Sequence, residues 1–197
     1  ELERIANHLG DLGALGNDAA LAFGFSQFMR LKEDWLRLNG ALFGHRFMMD
    51  RIVPGGAALD LEAPALRAIV EQCDAIGREV KELRKIYDEH AGLQDRFLTT
   101  GIIDADLARE LSLTGVAARA TGLILDARIH RQGYTPPPPW AMLGVRPVTD
   151  ERGDVAARAA VRFAEIFESL RLLRELAVGL PDSAVCAEVP PAPGGSG

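Results

Sequence analysis

The chain has 197 residues, 48% of them apolar and 25% charged, with a net charge of −6. That length can bury a full core, so one domain is expected, and the composition is that of an ordinary globular fold. The acidic balance argues against a general nucleic-acid binder, which needs a basic face; no apolar run reaches the ~20 residues that span a bilayer, and no secretory leader pattern is present.

Aromatic residues are sparse and Ala is abundant. Small side chains let helices pack closely, so the expected class is mainly α: a helical bundle with long antiparallel helices and a small irregular or β insertion around 129–150. The two cysteines, Cys73 and Cys186, are far apart in sequence and form neither a metal-spaced pair nor a disulfide framework. That usage fits a reducing compartment.

The first stretch opens inside a helical pattern. Leu2, Ile5, Leu9, Leu12 and Gly16 follow at steps of three and four, one face of an α-helix. Arg4, Asn7, Asp11 and Asp18 share a second face. There is no Met, no capping residue and no capping box at the start. A helix begun without a cap leaves unpaired N–H groups, so the sequence reads as an internal piece of a longer protein. Asp18 borders the uncharged run AALAFGF. It is either one more solvated acid or a partly desolvated one, with a raised pKa suited to proton chemistry.

Gly24 permits a break, and Phe25–Leu42 then reads as a second helix, interrupted by Gly40 and Gly44. After it come His45, Arg46 and Arg51 in an apolar setting, closed by the turn signal Pro54-Gly55-Gly56. Two readings of these cations stand side by side. In one, the arginines pair with Asp50 and snorkel. In the other, His45 and Arg46 face an anionic or redox centre, where a cation stabilises an arriving electron.

Leu61–Tyr87 is the clearest helix. Leu66, Ile69, Cys73, Ile76, Val80, Leu83 and Tyr87 form a seam along which another helix should pack. Its natural partner is the last long helix, capped by Asp154, with Val155, Ala159, Phe163, Ile166, Leu170, Leu173 and Ala177 at the same spacing. Arg158, Arg162 and Glu165 line another face of that helix and could hold a neighbouring loop or subunit. Between the two helices, a short element is expected over His90–Thr100 and another capped by Asp104. Thr114-Gly115 and Thr121-Gly122 then frame Arg119, with Asp126 and Arg128 close behind. This cluster suggests a polar knot tied by Arg–carboxylate pairs. Pro136–Pro139 excludes helix and favours an extended loop, a spacer or an interaction ligand, with a short strand expected around Met142–Val148. From Asp182 the composition turns to Ala, Pro, Gly and Ser, a tail or linker over 182–197 that cannot make a core.

No phosphate loop, C-x-x-C, H-E-x-x-H or nucleophile elbow is present. The four His (His8, His45, His90, His130) are scattered, and no metal site follows from their spacing. Residue chemistry alone gives a helical domain with a few notable polar side chains.

Three blocks carry a resemblance that reaches further: ELERIANHLGDLGALGND with FGHRFMMDRIVPGG, then LTGVAARATGLILDARIH, then RGDVAARAAVRFAEIFESLRLL. Over roughly 1–181 they resemble the large subunit of membrane-bound, energy-converting nickel–iron (NiFe) hydrogenases. That group includes the formate hydrogenlyase large subunit and hydrogenase-4 component G. The blocks are also similar to the D-type subunit of NADH:quinone oxidoreductase (complex I), and GHRFMMDRIVPGG looks more like the hydrogenase branch. The resemblance implies an oxidoreductase parent with a NiFe centre or a quinone. It implies as partners a small iron–sulfur subunit (like the B-type subunit of complex I) holding a 4Fe-4S cluster, a protein or domain like the C-type subunit, and membrane-arm subunits. The place implied is peripheral, on the cytoplasmic side of the inner membrane. The family's nickel–iron ligands are two C-x-x-C pairs, one upstream of the first helix and one near the C-terminus. Neither is in this sequence, so the fragment alone is expected to bind no cofactor. By the same resemblance, Arg46 matches the Arg beside the partner's proximal cluster and Asp18 the acid lining the quinone cavity. The His that pairs with that acid lies upstream of these residues, and His45 receives no role from the family. The rival expectation is a non-catalytic helical assembly module.

Overall fold

The computed structural model describes residues 1–126, 128–129, 142–180 and 183–189. In chain order the elements are α1 (Leu2–Asp18), α2 (Ala22–Phe43), β1 (Ile52–Val53), β2 (Gly56–Ala57), α3 (Ala63–Glu89), α4 (Ala91–Phe97), α5 (Ala105–Glu110), α6 (Gly115–Arg119) and α7 (Val155–Gly179). The fold is mainly α, as expected.

Four long helices make the core, and side-chain pairs fix their directions. Along α1 and α7, Asp11 meets Arg162, His8 meets Glu165 and Glu1 meets Ser169, so the two run antiparallel. Asp74–Arg174 and Tyr87–Phe163 give the same sense to α3 and α7. Trp35 Nε1 donates to the Leu2 carbonyl at 2.8 Å, while Gly13 sits against Phe28, which sets α2 antiparallel to α1. The expected seam is the one observed: Ile69, Cys73, Ile76, Val80, Leu83 and Tyr87 are buried against Phe163, Ile166 and Leu170.

The α1–α2 corner departs from expectation. The break falls at Ala20, not Gly24. Ala20 takes a left-handed φ of 64°, and Leu21 N–H reaches back to the Gly16 carbonyl at 2.7 Å, a Schellman-type closure in which a residue with a Cβ holds the position glycine usually fills. Gly24 lies inside α2 for a packing reason. A Cβ there, or at Gly16, would collide with the Tyr87 hydroxyl, which donates to the Leu12 carbonyl at 2.8 Å. Tyr87, Phe28 and Phe163 meet edge-on or tilted, with centroids 5.4–5.9 Å apart.

The helix caps fall where the sequence places them. Asp104 accepts from Leu107 N at 2.8 Å and Asp154 from Ala157 N at 2.7 Å. The second Asp154 oxygen takes Thr99 N at 2.9 Å, tying the end of α4 to the start of α7.

The small sheet lies elsewhere than the sequence suggests. It is the hairpin Ile52–Val53/Gly56–Ala57, extended by a bridge from Gly56 to Cys186. Among the described residues of 129–150 there is no strand. The physical reason is that several backbone groups of 142–150 find partners other than a neighbouring strand. Glu168 accepts from Arg146 N at 2.9 Å, Arg171 donates to the carbonyls of Leu143 and Gly144, and Asp150 N donates to the Arg119 carbonyl. No ladder partner is then required. Pro136–Pro139 lies outside the described residues.

Candidate functional site

The three residues singled out by sequence flank one helix, α2. Asp18 ends α1 and Arg46 follows α2, so their backbones sit at opposite ends of a helix of 22 residues, roughly 33 Å at the usual rise. Asp18 is exposed, so the expected desolvation is not seen. Phe23 and Phe25, both partly exposed, follow it at the start of α2.

Arg46 does not pair with Asp50, the partner one reading gives it. Gly44, at φ 73°, ends α2 and turns the chain back, and Phe47 N donates to His45 Nδ1 at 3.2 Å, which fixes that turn. The Arg46 side chain then folds along α2 past Gly40. Its guanidinium grips Glu33 with two prongs, Nη1 to Oε1 at 3.1 Å and Nη2 to Oε2 at 2.7 Å. Arg37 Nε donates to the same Oε1 at 2.9 Å. Hydrogen bonds from Arg46, then from Arg37, hold the Glu33 carboxyl down to about 2 and raise the Arg46 guanidinium in turn. Glu33 lies about 17 Å up α2 from its start by helical rise, so the charged heads of Asp18 and Arg46 do not converge on one centre. The residues that follow Arg46 in the chain include exposed apolar side chains: Phe47 is 62% exposed, Met49 58% and Ile52 85%. Phe47 and Ile52 also line an open cleft of about 460 Å³ with Phe43, Leu61, Leu173 and Val185.

A second polar centre, in the interior, joins residues that the sequence names separately, Arg119 and Glu165, to His8. Glu165 of α7 is 2% exposed. Its Oε2 meets His8 Nε2 at 2.7 Å and accepts from Arg119 Nη2 at 3.0 Å. Its Oε1 faces Arg119 Nε, with Arg4 Nη1 at 3.8 Å. Burial would raise the Glu165 carboxyl, but hydrogen bonds from His8 and Arg119 outweigh it and hold the group ionised. A parallel link runs from Glu1 to Ser169 and to Arg128, which also clasps Asp126. Burial opposes the Asp126 charge, but the Arg128 contacts win, leaving that carboxyl at about 2. The expected polar knot around Arg119, Asp126 and Arg128 is therefore present, and it is tied to α1 and α7 rather than closed on itself.

One signal could have exposed this centre. Val161, Glu165, Glu168 and Leu172 follow at steps of four, three and four. They form a second stripe on α7, buried like the first. Acids inside an apolar stripe need cationic partners from another element. For Glu165, His8 and Arg119, both 8% exposed or less, supply them, whereas Glu168 is held by Arg171 of its own helix. Arg158 and Arg162, the other members of the predicted face, do hold neighbours: Arg158 donates to the carbonyls of Gly101 and Gly153, and Arg162 to Asp11.

The cysteines do not make a metal site. Burial in the α3–α7 seam pushes the Cys73 thiol up to about 11, and exposed Cys186 sits on the segment beside the hairpin. A nickel–iron centre needs several converging thiolates, and these residues do not fit that donor set. Among the described residues no group of three His, Cys, Asp or Glu side chains is placed to hold a metal ion, and no helix is long and apolar enough to cross a membrane.

Comparison with known proteins agrees with the three sequence blocks. The chain is 28% identical to the alpha subunit of the membrane-bound hydrogenase of Pyrococcus furiosus, over 94% of this chain and 44% of that protein. It is equally 28% identical to the D subunit of the NADH-quinone oxidoreductase of Thermosipho melanesiensis, over 92% of this chain and 48% of that one. A chain of the membrane-bound sulfane sulfur reductase, an archaeal respiratory membrane complex, shares the fold at a TM-score of 0.83 and 23% identity, covering 95% of this chain and 50% of the other. The chain thus spans about half the length of the relatives it matches. Residues 16–192 match the family described as the respiratory-chain NADH dehydrogenase, 49 Kd subunit, and the chain belongs to that family.

Proposed function

We propose that these residues are the central helical part of the large subunit of a membrane-associated, NiFe-hydrogenase-like oxidoreductase, which exchanges electrons with a small iron–sulfur subunit. The observation that carries this reading is the similarity to a hydrogenase subunit over 94% of the chain, together with Arg46, a surface cation held in a two-pronged grip by Glu33 and followed in the chain by the exposed Phe47. An oriented surface cation suits a partner whose redox centre gains negative charge on reduction. On this reading the partner's 4Fe-4S cluster supplies one-electron transfer, and this chain supplies the docking face and the nearby positive charge. The nickel ligands of a hydrogenase parent fall outside these residues. The parent sits peripherally on the cytoplasmic side of the inner membrane, against a protein or domain like the C-type subunit of complex I and against membrane-arm subunits.

The similar match to the D subunit of a quinone oxidoreductase favours one second reading, in which Asp18 and its neighbouring aromatics border a quinone path. His45 then orders the turn through its contact with Phe47 N and takes no part in electron transfer.

The test uses the full-length parent assembled with its small subunit. Replacing Arg46 by Met removes a cation and should lower the reduction potential of the proximal cluster, followed by EPR during redox titration. An unchanged potential and an unchanged electron-transfer rate would remove Arg46 from the reading. Nickel bound by the full-length parent selects the hydrogenase branch, and its absence selects the quinone branch.

A further inference from the structure

The grip on Arg46 is more elaborate than a surface ion pair needs. The guanidinium meets both oxygens of Glu33, at 3.1 and 2.7 Å. It is delivered there by a turn fixed at several points: the left-handed Gly44, Gly44 N to the Gly40 carbonyl at 3.0 Å, Met48 N to the His45 carbonyl at 2.9 Å, and Phe47 N to His45 Nδ1. Arg37, four residues after Glu33 on α2, donates to the same Oε1 at 2.9 Å and steadies the carboxylate. A planar fork on a carboxylate fixes direction as well as distance.

We propose that Glu33 is the positioning residue for Arg46: its carboxylate, steadied by Arg37, holds the guanidinium at one place beside α2 and so sets the field that Arg46 exerts on the partner's cluster. This rests on the reading of Arg46 given above. An unheld Arg46 samples many rotamers, so its charge has no fixed place. The Glu33 charge by itself acts in the opposite sense, since an anion near the cluster disfavours reduction. Sign therefore separates the two roles. Loss of positioning lowers the cluster potential, as loss of Arg46 does; loss of a bare negative charge raises it.

The experiment measures the proximal cluster potential by EPR-monitored titration in the assembled full-length complex, for the wild type, Arg46→Met, Glu33→Ala and the double variant. The expected result is a downward shift in Glu33→Ala of the same sign as in Arg46→Met, and no further downward shift when both are changed. If Arg46→Met lowers the potential while Glu33→Ala raises it or leaves it unchanged, the positioning role is overturned and the reading of Arg46 stands. If Arg46→Met itself has no effect, both fall. Co-purification of the small iron–sulfur subunit checks assembly. Should Glu33→Ala not assemble, Glu33→Gln, which keeps the size but not the two-pronged acceptor, supplies the same sign test.

Discussion

Glu165 and Glu33 are the same residue type in nearly the same company, one carboxylate between two arginines. Glu165 has Arg119, Arg4 and His8 around it, and all but Arg4 are almost fully enclosed. Glu33 has Arg46 and Arg37, both open to solvent. In the interior the charge cannot fall back on water, so each partner is obligatory and the cluster binds α1, α6 and α7 together. On the surface, water competes for every contact, so the pair contributes little to folding. What it retains is geometry. One cluster maintains the bundle; the other, under the proposed function, presents a cation to a partner.

The largest expected effect comes from breaking the enclosed cluster. Glu165→Ala leaves Arg119 and His8 facing each other without a counter-charge, and should cost about 3–5 kcal/mol, read as a lower midpoint in urea unfolding. Glu165→Leu tests whether the cost comes from lost packing or from stranded charge. If Leu restores the midpoint, packing is the cause.

Acid attacks the same contrast. Asp126, with a usual value near 3.8, is held at about 2, and Glu165 is also held low. Carboxyls with depressed folded values contribute stability that is fully present above their unfolded values and is lost as pH falls through the folded ones. Unfolding followed by circular dichroism should therefore set in between about pH 4 and 2. Folding that was flat across that window would show that these carboxylates are not coupled to the bundle.

A smaller effect is expected at the two-handed cap. Asp154→Ala frees Ala157 N at the start of α7 and Thr99 N at the end of α4, and should cost about 1–2 kcal/mol. Asp104→Ala frees one exposed N–H and should cost less, so the difference between the two caps measures the α4–α7 tie. The smallest change is expected at Glu33→Ala, with no measurable shift in thermal midpoint. A clear loss of stability there would make Glu33 a folding residue and blur the distinction from Glu165.

What is legible in the sequence follows from range. The α3–α7 seam and the caps at Asp104 and Asp154 rest on local spacing and local chemistry, and both can be read directly. The arginine knot is readable as a knot, but its far partners are not. His8 and Glu165 are 157 positions apart, and no local pattern couples them. The Ala20 break is hidden because alanine favours helix, and only the return bond from Leu21 to Gly16 shows why it turns. The hairpin at 52–57 is marked by its Pro-Gly-Gly signal, yet the strand is expected downstream, where extended backbone finds side chains instead of a neighbour. The site residues fare likewise. Arg46 stands out for its charge, but Glu33 sits on the polar face of α2 and looks like any surface acid until the turn after Gly44 brings the two together.

Tyr87 has one more consequence. Its hydroxyl lodges in a notch left by Gly16 and Gly24 and bonds to the Leu12 carbonyl, so α1, α2 and α3 are geared together at a single atom. The corner that carries Asp18, Phe23 and Phe25 is thereby pinned to α3, and moving it away from α3 means giving up that hydrogen bond and the fit of the notch.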